Sequence, residues 1–136
     1  NLPLNKRIKK ILMTRIEILN KDKKFYNKTF NHLLLPQNTK ILKKNLYKSV
    51  DTMWYLAGDN STDFNFYTKR YILSQIFINT LIYWRGSESI EKTVDFINSQ
   101  IVALGKFGYY KSRFKKVLTS LYKNEILTKF DFLHKN

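Results

Sequence analysis

Four glycines and two prolines are the only strong backbone breakers in 136 residues. Between them the apolar residues recur with helix period, so the chain is confined to long helices joined at a few fixed points. Leu4, Ile8, Ile11, Leu12, Ile16 and Leu19 form one stripe over residues 4–19. Asn20 and the run KDKK read as a turn, and Tyr26, Phe30, Leu33 and Leu34 continue the pattern over 23–34. Pro36 ends that helix, because the residue before a proline avoids the helical region.

A third helix is capped by Asn38 or Thr39 and carries Leu42, Leu46, Val50, Met53, Trp54 and Ala57. Gly58 takes the left-handed position beyond its end. Ser61 or Thr62 is expected to cap a fourth helix, with Asp63 in the first turn, where the dipole favours an anion. That helix runs to about Arg85 and is apolar on nearly every side, which predicts a central position or an interface. Gly86 stops it, and Ser87 restarts a fifth helix whose stripe is Ile90, Val94, Ile97, Ile101 and Leu104. After Gly105 and Gly108 a last helix begins near Tyr109, and its register slips beyond Asn124. The expected fold class is all-α, a six-helix bundle.

With 43% hydrophobic residues, this length suits one domain. The net charge of +15 draws such a chain to nucleic acid, anionic lipid or an acidic partner. Heavy use of Lys, Asn, Ile, Tyr and Phe also fits an A+T-rich coding sequence, which would supply the excess charge without function. The absence of cysteine removes disulfides, thiolate catalysis and cysteine metal sites. No apolar run approaches the ~18–20 residues that span a bilayer. Residues 1–16 are basic and acid-free, faintly like a presequence, but their regular apolar spacing reads better as a surface helix. The start at Asn1 rather than Met is expected of a fragment or a processed form.

An enzyme is hard to assemble from these residues. His32 and His134 stand far apart; His32 has no carboxylate three or four positions away, and His134 has only Asp131, a single Asp-x-x-His pair. There is no Glu-x-x-His pair for a di-iron site, no nucleophile elbow and no glycine-rich phosphate loop. Asp51, Asp59 and Asp63 instead form an acidic island in a basic chain. Helix capping and turn formation would account for it. So would a partner site, since Asp63, Tyr67 and Arg70 share a helix face that Phe66 adjoins, a composition typical of binding hot spots. The last helix, with Tyr110, Phe114, Leu118 and Leu121 opposite Lys115 and Lys116, suits an anionic membrane surface or ordinary packing on a core. Trp54, Tyr71, Ile76, Phe77, Leu81 and Trp84 would line an apolar tunnel for a lipid tail, or would form a dense core.

One stretch goes further. Met53-Trp54, then Ala57-Gly58-Asp59, Ser61-Thr62-Asp63-Phe64-Asn65, and Phe66-Tyr67-Thr68-Lys69-Arg70 resemble the signature of the Coq nine family of ubiquinone-biosynthesis accessory proteins. Leu35-Pro36-Gln37-Asn38 is similar to a turn of that family, and the resemblance covers about residues 4–107. It implies a fold like the ligand domain of tetracycline-repressor-like proteins. It implies no catalysis and no cofactor other than a bound isoprenoid lipid or quinone. The family's partner is a di-iron demethoxyubiquinone hydroxylase, to which it presents its lipid, and the patch for that partner maps onto Met53, Asp63, Phe66 and Tyr67, with Arg70 beside them. The implied location is peripheral, on the matrix side of the mitochondrial inner membrane or the cytoplasmic face of a bacterial one.

On this view residues 1–108 are the lipid- and partner-binding domain, and residues 109–136 are a membrane-associating helix and tail. Phe66 stands where many relatives have Trp, and the last helix is richer in Lys than the family pattern. A homodimer remains open. The competing readings are the ligand domain of a tetracycline-repressor-type regulator and a membrane-surface adaptor. The regulator reading needs a recognition helix with base-reading residues, and none is evident within this chain, so no specific nucleic-acid partner is expected; the +15 charge allows non-specific DNA binding.

Overall fold

The computed structural model describes residues 2–103, 113 and 115–124, with the backbone alone at 63, 64 and 103. Every regular element among these residues is helical, as the apolar periods require. The chain divides into two compact units, residues 1–105 and 106–136.

In the first unit the helices are α1 (Leu4–Asn20), α2 (Lys23–Leu33), α3 (Thr39–Leu56), α4 (Asp63–Gly86) and α5 (Ile90–Ala103), with a 3₁₀ turn at Pro36–Asn38 between α2 and α3. Helix α1 packs against all four others, and α4 packs against α3 and α5 as well. The stripe of α1 supplies the fully buried Ile8, Leu12 and Ile16. They meet Val50, Met53, Trp54 and Ala57 from α3 and its end, and Ile72, Leu73, Ile76, Phe77 and Trp84 from α4, with Ile97 completing the core from α5. Helix α4 is central but not enclosed, because Tyr67, Tyr71, Ile82 and Tyr83 stay exposed. Leu34, assigned to the apolar face of α2, lies exposed just past the helix end.

The joints explain the element ends. Asp22 caps α2 by accepting from the Phe25 N–H at 3.4 Å. Asn38 does not cap α3 with its side chain. Its Nδ2 reaches back to donate to the His32 carbonyl at 2.7 Å, tying the 3₁₀ turn to α2. At the other end of α3, the Gly58 N–H donates to Tyr55 and the Asp59 N–H to Trp54, the paired bonds of a Schellman ending. Gly58 has φ of 81°, as its place in the sequence predicts.

The α4 and α5 starts differ from expectation. Thr62 precedes α4 without a side-chain cap, and the Ser61 hydroxyl goes to the Asp59 carboxylate instead. Helix α5 starts at Ile90 rather than at Ser87, and Ser89 Oγ accepts from the Lys92 N–H at 3.3 Å. Ser87 serves the turn, donating to the Ser89 carbonyl.

A methyl group added at Gly58 would stand 2.9 Å from Arg7 Nη1. The arginine tip can swing aside, but the left-handed backbone cannot accept a side chain without strain of about 1–2 kcal/mol. Gly58→Ala is therefore expected to lower thermal stability by several degrees, measured by circular dichroism, while Gly86→Ala, with nothing near its Cβ, leaves it nearly unchanged.

In the second unit residues 115–124 are helical, and Val117, Leu118, Leu121 and Tyr122 are exposed beside Lys115 and Lys116. Tyr110, Phe114 and the segment beyond Asn124 lie outside the described residues. Among the described residues no helix is long and apolar enough to cross a membrane.

Candidate functional site

The signature stretch folds into the corner where α3 ends and α4 begins. Its centre is Asp59, whose side chain is only 1% exposed. Lys69 Nζ lies 2.7 Å from one carboxylate oxygen and Arg70 Nη1 lies 3.6 Å from the other. Arg70 also donates from Nε to Asp51 at 2.7 Å and from Nη1 to the Phe66 carbonyl at 3.2 Å. The Trp54 indole donates to the Lys69 carbonyl at 3.0 Å, and the Lys69 ammonium sits over the Trp54 ring. Burial pushes the Asp59 carboxyl up, but the hydrogen bonds from Lys69 and Ser61 outweigh it and hold the group below its ordinary value of 3.8.

Two members of the acidic island are thus neutralised within the fold. Asp51 and Asp59 are spent on Lys69 and Arg70, which fasten α4 to α3. Arg70 is itself buried, with its guanidinium carbon 3.4 Å from the Phe66 ring centroid. Met53 and Trp54 are buried under the same corner. Phe66 is half-buried and meets the exposed Tyr67 edge-to-face at 5.2 Å. Of the four expected partner contacts whose side chains are described, Tyr67 is exposed, Phe66 supports it, and Met53 and Arg70 lie beneath. The Asp63 side chain is outside the described residues.

The expected tunnel residues separate in the same way. Phe77, Leu81 and Trp84 line an apolar cavity of about 200 Å³ between α1, α2, α3 and α4. Trp54 belongs to the corner, Tyr71 is exposed, and Ile76 is buried away from that cavity. With Arg15, Thr29, Asn45 and Ser49 as polar lining, its apolar wall is continued by Leu19, Tyr26, Phe30, Leu33, Leu42, Leu46 and Ile78. These were legible as helix stripes, but not as one surface, because α2 and α3 had to fold over α4 first. The Trp84 side of the cavity is braced by polar contacts. The Trp84 indole donates to Asn20 Oδ1 at 3.0 Å, and Lys23 Nζ lies over the Trp84 ring while donating to the Ser87 carbonyl at 2.6 Å.

Comparison with known proteins bears on both features. The COQ9 family model matches residues 40–108, which includes the whole corner and all of the α4 wall of the cavity. The chain is 34% identical over 104 residues to the protein named ubiquinone biosynthesis protein COQ9, mitochondrial, of Rattus norvegicus, covering 75% of this chain and 33% of that protein. The protein of the same name in Bos taurus is 33% identical over the same shares. The probable ubiquinone biosynthesis protein coq9, mitochondrial, of Dictyostelium discoideum is 24% identical over 113 residues, covering 82% of this chain and 37% of that one. The chain therefore spans about a third of the length of the curated relatives it matches. No solved structure matches it. With a family model spanning both the α3–α4 corner and the helix that walls the cavity, this chain belongs to the COQ9 family.

Proposed function

We propose that this chain is the lipid- and partner-binding part of a non-catalytic accessory protein of ubiquinone biosynthesis. In this reading it holds an isoprenoid quinone intermediate and presents it to the di-iron demethoxyubiquinone hydroxylase. The carrying observation is the apolar cavity of about 200 Å³ lined by Phe77, Leu81 and Trp84, in a chain whose relatives are named for ubiquinone biosynthesis. That volume is below the ~300–1,000 Å³ of pockets that enclose whole ligands, so it suits a segment of prenyl chain rather than an entire tail. The relatives' names say mitochondrial, which favours a mitochondrial over a bacterial setting, and in this reading the surface is the matrix side of the inner membrane. Leu118 and Leu121, exposed between lysines, supply an amphipathic helix for that surface.

Native mass spectrometry of the purified chain with lipid extraction tests the ligand. A co-purifying prenyl quinone is the expected outcome, and an empty protein that still binds anionic liposomes would favour a surface adaptor. The partner face is tested by Tyr67→Ala. Tyr67 is 57% exposed, so its removal leaves folding intact, whereas loss of an aromatic anchor at an interface costs about 2 kcal/mol or more. Hydroxylase capture should weaken by about thirtyfold with an unchanged melting temperature. Equal capture by both proteins would move the interface elsewhere.

A further inference from the structure

A second concavity, an open groove of about 480 Å³, runs between α1 and α3 and meets the prenyl cavity at Arg15 and Ser49, which line both. Its walls repeat one pattern. On α1 the lining positions are 10, 11, 14, 15 and 18, and on α3 they are 48, 49, 52, 53 and 56, so each helix gives the same two-turn face. Each face opens with a lysine, and each threonine returns its hydroxyl to that lysine's carbonyl, Thr14 to Lys10 at 2.8 Å and Thr52 to Lys48 at 2.9 Å. The floor is apolar, made by Ile11, Met53 and the exposed Leu56.

The charge is one-sided. Lys10, Arg15 and Lys48 line the groove and no carboxylate does. Among the described residues the acids that form ion pairs are Asp51 and Asp59, and both serve Arg70 or Lys69. The three groove cations therefore have apolar surface between them and no anion on it. Arg7 of α1 lies over Gly58, just past the end of α3, so the two helices run antiparallel. Arg15 and Lys48 consequently share one end, and Ile11, Met53 and Leu56 extend from them for about 12 Å, the length of two helical turns.

We propose that this groove binds a single-chain amphiphile with an anionic head, such as a medium-length fatty acid. The head sits between Arg15 and Lys48, and the chain lies over Ile11, Met53 and Leu56. Cations at one end of an apolar trough recognise carboxylate and alkyl chain together. A neutral lipid would leave the cations without gain, and a soluble polyanion would leave the trough wet. This site is independent of the quinone reading: a chain that carries no quinone can still bind here.

The test is calorimetric titration of the full chain with decanoate, decyl phosphate and decanol below their aggregation limits. Decanoate is expected to bind one-to-one, with decanol at least about tenfold weaker, since a charged head contributes a charge-assisted hydrogen bond that the alcohol lacks. Arg15→Gln and Lys48→Gln, both at exposed positions, should each weaken decanoate by about tenfold and leave decanol unchanged. Leu56→Lys should weaken both. Prenyl-quinone binding should be unaffected by Lys48→Gln and Leu56→Lys, whose residues line the groove alone, which separates the two sites. Equal affinity for decanoate and decanol, or an Arg15→Gln protein that binds decanoate as before, would overturn the proposal. So would binding seen only with anionic phospholipid vesicles, which is surface attraction, or a chain dimer that Leu56→Lys dissolves while decanoate has no effect. Preference for decyl phosphate over decanoate would keep the site and name phosphate as its head group.

Discussion

Asp59→Ala lowers the melting temperature by about 12 °C or more. The carboxylate is buried and receives Lys69 at 2.7 Å, Arg70 at 3.6 Å and the Ser61 hydroxyl. Removing it leaves Arg70, 7% exposed, facing an apolar corner with only the half-exposed Asp51 to neutralise it. Breaking a buried pair by deleting one partner costs about 3–5 kcal/mol, and the lower end applies because Lys69 is 23% exposed and can turn to water. At ~4–8 °C per kcal/mol for a unit of this size, the fall is large enough to read by scanning calorimetry. The pH dependence gives an independent check. Folding holds the Asp59 carboxyl below 3.8, so its stabilisation is complete above that pH and is lost as pH falls through the lowered folded value. The gap between wild type and Asp59→Ala should be widest near neutrality and should close in strong acid. A gap that stayed constant down to the acid transition would assign the loss to packing rather than to charge.

The α3–α4 corner also shows what a sequence conveys and what it withholds. The end of α3 was readable from Gly58 alone, because only a left-handed residue closes a Schellman ending and glycine adopts that conformation without strain. The fate of Asp59, one residue later, was not. Read locally it belongs to a turn, and only when α4 folds back along α3 do Lys69 and Arg70, ten and eleven positions away, reach it. The same capture explains why Ser61 does not cap α4: its hydroxyl has a charged acceptor next door, and a carboxylate outcompetes a helix terminus. Arg70 was placed by periodicity on a face with Asp63 and Tyr67. Periodicity gives a direction from the helix axis, and a long arginine can fold down beside Phe66 instead of outward. The groove between α1 and α3 escaped notice for the opposite reason. Its lysines looked like a solvated face in a lysine-rich chain, and their meaning depends on Met53 and Leu56 arriving from another helix.

Trp84→Ala should cost about as much as any single change in the chain, about 3–5 kcal/mol, and should shift the melting temperature by about 12 °C or more. Trp84 is 1% exposed at the far end of α4 and does three things at once. It walls the apolar cavity, it donates to Asn20 at the end of α1, and it carries the Lys23 ammonium on its face. Truncation removes apolar contacts from four helices and leaves the Asn20 amide oxygen without its donor. Trp84→Phe separates these contributions, since it keeps most of the ring and loses the indole hydrogen bond, worth about 0.5–1.5 kcal/mol. A smaller loss for Trp84→Phe than for Trp84→Ala therefore assigns most of the effect to volume. The variant also probes the cavity directly. A void opened beside Phe77 and Leu81 gains affinity for apolar ligands that fit it, and a ligand bound only to the folded chain raises its stability in proportion to RT ln(1 + [L]/Kd). A short prenyl alcohol should therefore raise the melting temperature of Trp84→Ala more than that of the wild type, in a concentration-dependent way. If it raises neither, the space beside Trp84 is a packing void and the lipid enters elsewhere.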